Sequence, residues 1–234
     1  MNKSEDTENK EKEEESQEFE GQEESEERHM SIEELIAMVA GKEEKEEKDK
    51  LEDMRSIGLY GDVEEESISE VISGLLTLQH TGMPKLSKDG EVEEEGKPIK
   101  LYISTYGGSA DEMASLIDIM GVVRKNCPIH TIGLGKVMSA GVLILASGTK
   151  GERYIGKNCR VMIHSVIAGN HGSLHNLENE LAEVKKMQDI YLQSLADVTN
   201  MTKKQLKSFM RRKQNVYLNA NEAIKYGIAD KILE

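Results

Sequence analysis

Three short stretches of this chain hold residue types that can carry acyl-transfer chemistry. Ser139 lies in Met138-Ser139-Ala140-Gly141, His164 ends the run Arg160-Val161-Met162-Ile163-His164, and Gly107-Gly108 lie in Tyr106-Gly107-Gly108-Ser109-Ala110. A serine becomes a useful nucleophile only with a base in hydrogen-bond reach, a group that orients the base, and backbone donors for the oxyanion. Ser139 is the candidate nucleophile, placed where a strand gives way to a helix whose first amides and positive dipole end favour developing negative charge. His164, 25 residues on, is the candidate base. Small Ala140 and Gly141 leave room for close approach, and the two glycines can offer amides to a carbonyl oxygen or pair with an extended peptide. Each feature alone has an ordinary explanation: a helix cap, a turn, a structural histidine. Their combination points to a serine peptidase site. An α/β-hydrolase elbow is excluded, because Val137 occupies the place of its leading glycine and the histidine follows the serine closely.

The elements that carry these residues read as strands alternating with helices. Ser56–Gly61 reads as a first strand, and the next helix is expected to be capped at Ser67 with Glu70 three residues on, turning Val71, Ile72, Leu75, Leu76 and Leu78 inward. Met83–Pro98 reads as an acidic hairpin or loop. Strands are expected at 100–105, 129–134 and 160–163, and helices at 110–125 and 139–146. A helical pattern from Leu174 to Val198 would be more than about 35 Å long at 1.5 Å per residue, longer than a small domain needs for itself. Thr202-Lys203-Lys204-Gln205 and Asn219-Ala220-Asn221-Glu222 are capping boxes, the latter opening a helix over 223–226, with strands at 216–218 and 228–233. Strands alternating with helices over short connections give an α/β domain with a mostly parallel sheet.

Charge divides the chain. The formal net charge is -14, yet residues 101–234 carry 12 acids and 17 bases, so the acidity belongs to the first hundred residues. Residues 1–54 hold long glutamate runs with few apolar side chains and are expected to form an acidic, mostly disordered tail, because they bury too little surface to offset chain entropy. One island, Ser31-Ile32-Glu33-Glu34 with Leu35, Ile36 and Val39, predicts a short helix near 31–40. The peptidase domain is expected over 55–234. The acidic start and the lack of a transmembrane-length apolar run lead us to expect a cytoplasmic protein without membrane contact. Nucleic-acid binding is not expected, since the tail repels phosphate and the basic run Arg211-Arg212-Lys213 suits a helix C-terminus. Cys127 and Cys159 have no metal-site spacing and read as reduced thiols. No metal or cofactor is expected.

At the three motifs the chain resembles the ClpP family, the proteolytic subunits of the caseinolytic protease. The resemblance runs from about Arg55 to Leu233 and omits the tail and the Met83–Pro98 insertion; Arg160-Val161-Met162-Ile163-His164 is its most specific piece. It implies the ClpP/crotonase-like fold of repeated strand-helix units, Ser139 as nucleophile, His164 as general base, and the amides of Gly108 and Ala140 as the oxyanion hole, with Gly107 and Ser109 beside the substrate. It implies that Leu174–Val198 is a handle helix joining two stacked seven-membered rings around a chamber in which peptides or unfolded proteins are cut, with an AAA+ unfoldase as a potential partner. Counting back from Ala220–Asp230, the third triad position falls at Asn215, an amide where the family has aspartate. Gln214 stands where the family has a ring-locking arginine, and the tail does not resemble the family's axial loops. Three alternatives follow: a non-catalytic ring or scaffold subunit, a viral capsid-maturation protease, and a crotonase-type enzyme acting on acyl-thioesters, for which no carboxylate acid/base pair is found.

Overall fold

The computed structural model describes residues 54–211 and 215–233. The expected tail and its helix near 31–40 lie outside them, as does Gln214. The unit that starts at Met54 is organised around a seven-stranded sheet. Strands β1 (Ser56–Tyr60), β4 (Ile99–Thr105), β5 (Ile129–Met138), β6 (Arg153–Gly156) and β9 (Lys231–Leu233) follow one another in that order, each parallel to the next. The second half of β5 also pairs in parallel with β7 (Arg160–Ile163), and β7 pairs antiparallel with β8 (Val216–Leu218). This is the mixed α/β, mostly parallel architecture that the strand-helix alternation predicts.

Helix α1 (Glu65–Thr81) covers the sheet through Ile68, Val71 and Leu75, and α2 (Ala110–Val123) through Met113, Leu116, Met120 and Val123, at the i, i+3, i+4 spacing of one helical face. Short α3 (Ala140–Ala146) is buried at every residue. Between α1 and β4 the acidic hairpin is present as β2 (Lys85–Leu86) and β3 (Val92–Glu94). Arg55, 8% exposed, anchors its base by donating to the carbonyls of Leu78, Lys97 and Pro98. Helix α4 (Leu174–Val198) keeps the predicted bounds, yet only Tyr191, Leu192 and Leu195 are buried, so the helix is rooted by its C-terminal end. Helices α5 (Lys203–Arg211) and α6 (Ala220–Lys225) complete the fold.

Several boundaries differ from expectation for local reasons. α1 starts earlier: Glu64 is its N-cap, and Ser67 fills the reciprocal third position, accepting from the Glu64 amide. Glu65 and Glu66 then occupy the first turn, where the helix dipole favours acids. α6 starts at Ala220, directly after its Asn219 cap. β6 carries no prediction; its pairing with β5 is made in the folded sheet. β5 runs four residues beyond its expected end. Ile103 pairs with Gly133 but Thr105 with Val137, so β5 spends four residues where β4 spends two. The surplus is a bulge, made possible by Gly135 at φ +60°.

Candidate active site

That bulge redirects β5. Its first half pairs with β6 through residues 131–133 and its second half with β7 through residues 136–138. The β7 pairing carries the strand to Ser139, whose amide donates to the Met162 carbonyl at 2.8 Å. Ser139 then turns the chain into α3 with φ +52° and ψ -122°, and among the described residues it is the one non-glycine at positive φ. A strained backbone of this kind costs about 1–3 kcal/mol and persists only where its surroundings hold it. Although Ser139 is the N-cap of α3, its hydroxyl makes no capping bond. Ser109 is the contrast: it caps α2 in the ordinary way, its Oγ accepting from the Glu112 amide at 3.2 Å. The helix-cap explanation therefore accounts for Ser109 and fails for Ser139, whose side chain is left available.

The glycine loop is built against this turn. Gly107 sits at φ +99°, and a Cβ there would lie 2.5 Å from Ser139 Cβ; one on Gly108, at φ +152°, would lie 2.2 Å from the Val63 carbonyl oxygen. Only glycine meets both demands. Gly107 has its own polar groups engaged, its amide donating to Thr105 Oγ1 at 2.9 Å and its carbonyl accepting from Val63 N at 2.8 Å. The Ser109 amide donates to the Val63 carbonyl at 2.7 Å. Val63 thus clamps the residues on either side of Gly108 and leaves the Gly108 amide between them. Among the bonds of the described residues, the amides of Gly108 and Ala140 donate to no protein acceptor. Two open donors flank Ser139.

His164 follows β7 directly, and half-buried it lines the same cleft of about 470 Å³ as Ser139, Ala140, Gly108, Ser109 and Tyr191. Gln188 of α4 fixes the chain just beyond it, its Oε1 accepting from the Val166 amide at 2.7 Å. Asn215 precedes β8 and is exposed. The antiparallel pair Ile163–Val216 sets it against His164 one step further on, while its Nδ2 lies 3.5 Å from the Tyr217 hydroxyl. Among the described residues no carboxylate pairs with His164. The structure thus gathers Ser139, His164, Gly108, Ala140 and Ser109 in one cleft, places Gly107 beneath it, and leaves Asn215 at its margin.

The family model of Clp protease matches residues 40–234 of this sequence. The chain belongs to the Clp protease family. Among curated relatives, the ATP-dependent Clp protease proteolytic subunit 1 of Corynebacterium glutamicum is 32% identical over 186 residues, which cover 79% of this chain and 82% of that protein. The parallel sheet with its intercalated helices is consistent with the fold of the Clp protease family.

Two residues at this candidate site of the Clp protease family member are not marked by the sequence motifs. Val63 reads as the end of a strand and turn, and its clamp on the glycine loop needs a chain pairing across more than forty residues. Tyr191 reads as one more apolar position of a long helix, yet its hydroxyl donates to the Ser139 carbonyl at 2.9 Å. No helix among the described residues is long and apolar enough to cross a membrane, and no cluster of His, Cys, Asp or Glu among them could hold a metal. Both cysteines are buried free thiols. Burial raises Cys127 above its ordinary value despite nearby Arg55, and pushes Cys159 up to about 11, so neither is an activated nucleophile.

Proposed function

We propose that the chain is a serine endopeptidase in which Ser139 is the nucleophile, His164 the general base, and the Gly108 and Ala140 amides the oxyanion hole. The observation that carries this reading is the uncapped Ser139 hydroxyl at a positive-φ turn, flanked by two amides without protein acceptors. Ser139 Oγ attacks the scissile carbonyl carbon while His164 takes its proton. The carbonyl oxygen becomes an oxyanion that accepts from the two amides, and His164 passes its proton to the leaving amine. Water, deprotonated by His164, then releases the acyl group and restores Ser139. Gly107 and Ser109 flank the bound peptide, Gly107 by bringing the loop close to Ser139. Asn215 can hold the imidazole but adds no negative charge to balance the imidazolium, so turnover is low.

The assembly belongs to the same proposal. α4 exposes Leu174, Leu177, Leu181 and Ile190; the first three fall on one stripe at helical spacing, suited to the equivalent helix of another copy. Stacked heptameric rings with a closed chamber, acting on peptides or unfolded proteins, fit that stripe. An AAA+ unfoldase partner is included because the relative's name is that of an ATP-dependent protease. The tail at 1–54 is read as an extension of this peptidase domain.

A fluorophosphonate probe followed by intact-mass measurement tests the reading. One adduct, lost in Ser139→Ala and in His164→Ala, is expected; a folded oligomer that takes no adduct overturns it. Asn215 beside His164 favours a second reading, a weakly active or non-catalytic subunit of a mixed ring, which that negative result would support.

A further inference from the structure

Among the described residues of helix α4, Tyr191 is the one that lines the candidate cleft. Tyr191 is 5% exposed, lines the cleft, and aims its hydroxyl at the Ser139 carbonyl oxygen at 2.9 Å. That oxygen has one other partner, the Val142 amide at 3.0 Å. The carbonyl belongs to the planar peptide unit whose other end is the Ala140 N–H. Whatever fixes the oxygen therefore fixes the direction of the N–H, and a hydrogen bond to the oxygen polarises the unit and makes that N–H a stronger donor. Burial also raises the phenol above its ordinary range, so the hydroxyl keeps the proton it donates. The need for such a brace is local, since Ser139 stands at φ +52° and relaxation of its backbone would rotate this same peptide. The Met162 carbonyl holds the near side of the turn at the Ser139 amide, and Tyr191 holds the far side.

We propose that Tyr191 is a positioning residue for the oxyanion hole, aiming and strengthening the Ala140 amide through the Ser139–Ala140 peptide. The proposal rests on the peptidase reading above. It makes the hydroxyl matter in the transition state, when charge reaches the carbonyl oxygen, and little in substrate binding. α4 thereby becomes part of the catalytic apparatus, because its rooted end carries the brace.

The test compares Tyr191→Phe, which deletes the hydroxyl and keeps the ring, with Leu195→Val, which loosens the same end of α4 and leaves the hydroxyl in place. Peptide hydrolysis, fluorophosphonate labelling rate and melting temperature are measured on the full chain. Complete removal of an oxyanion donor costs about 10²–10³ in kcat, and a donor left in place but poorly aimed should cost less. Tyr191→Phe is expected to lower kcat and the labelling rate about tenfold, with KM within about twofold, while Leu195→Val lowers the melting temperature and keeps kcat. Equal kcat in Tyr191→Phe and the parent overturns the proposal, as does an equal fall of kcat in Leu195→Val, which would make the effect one of packing. Should Tyr191→Phe fail to fold, 3-fluorotyrosine at position 191 keeps the ring and makes the hydroxyl a stronger donor; kcat is then expected to rise, and an unchanged kcat overturns the proposal. A parent chain whose Ser139 takes no label overturns the peptidase reading itself, and the role of Tyr191 with it.

Discussion

His164 and Asn215 each lie one residue beyond the last antiparallel pair of the β7–β8 ladder. His164 is one residue past Ile163, and Asn215 is one residue before Val216, the antiparallel partner of Ile163. On the proposed peptidase reading, an amide takes the position from which a carboxylate would orient the imidazole. Asn215→Asp is expected to raise kcat at least about tenfold, since the reverse change in a serine protease costs about 10⁴. Steady-state hydrolysis of a fluorogenic peptide measures this; equal or lower turnover would remove Asn215 from the triad.

The glycine loop has no tolerance for a side chain. Gly108→Ala puts a methyl group 2.2 Å from the Val63 carbonyl oxygen, so the loop must leave Val63 or the Gly108 amide must rotate. A loss of about 10²-fold or more in kcat is expected, similar to loss of an oxyanion donor. The companion change Gly90→Ala, at the exposed tip of the hairpin with open space around it, should leave kcat unaltered. Equal effects of the two would show that the loop is not part of the site.

Among the described residues, Arg153 and Asp230 form the most buried ion pair. Arg153 is 3% exposed and reaches the carbonyls of Ala146 and Val198 as well as both oxygens of Asp230, joining the ends of α3 and α4 to the approach to β9. Asp230→Ala would leave the guanidinium buried without its counter-charge, and a loss of about 3–5 kcal/mol in unfolding free energy is expected from denaturant titration.

The same pair sets an acid limit. Burial pushes the Asp230 carboxyl up, but its bonds from Arg153 and from the Gly151 amide outweigh this and hold it below the ordinary value. A carboxyl with a lowered folded pKa contributes stability that is fully present above its unfolded value of about 3.9 and is lost as pH falls through the folded value. The melting temperature of the parent should therefore fall more steeply below about pH 4 than that of Asp230→Asn. Parallel curves would show that another group governs acid unfolding.

The exposed stripe of α4 predicts a defect in assembly. Leu177→Glu with Leu181→Glu adds charge to an apolar face and leaves the buried root at Tyr191, Leu192 and Leu195 untouched. Light scattering should report smaller particles with unchanged helical content. Particles of unchanged mass would mean that α4 does not join subunits.

The sequence by itself determined the elements with strong local signals. α4 carries a helical apolar period over 25 residues, Asn219 and Thr202 carry complete capping boxes, and the strand-helix alternation fixes the α/β class, because these patterns act over a few turns of chain. The residue types of the site were legible for the same reason: serine, histidine and paired glycines each stand at an element's end. What only the tertiary structure decided are the relations between distant segments. The β5 bulge exists because β4 supplies two residues opposite four. Val63 clamps the glycine loop because β1 lies beside β4, and Tyr191 reaches Ser139 from 52 residues away. The conformation of Ser139 belongs to this second group. Serine at the head of a helix favours a capping bond, yet Ser139 makes none: it sits at positive φ, lines the cleft, and its turn is bonded to Met162 on one side and Tyr191 on the other.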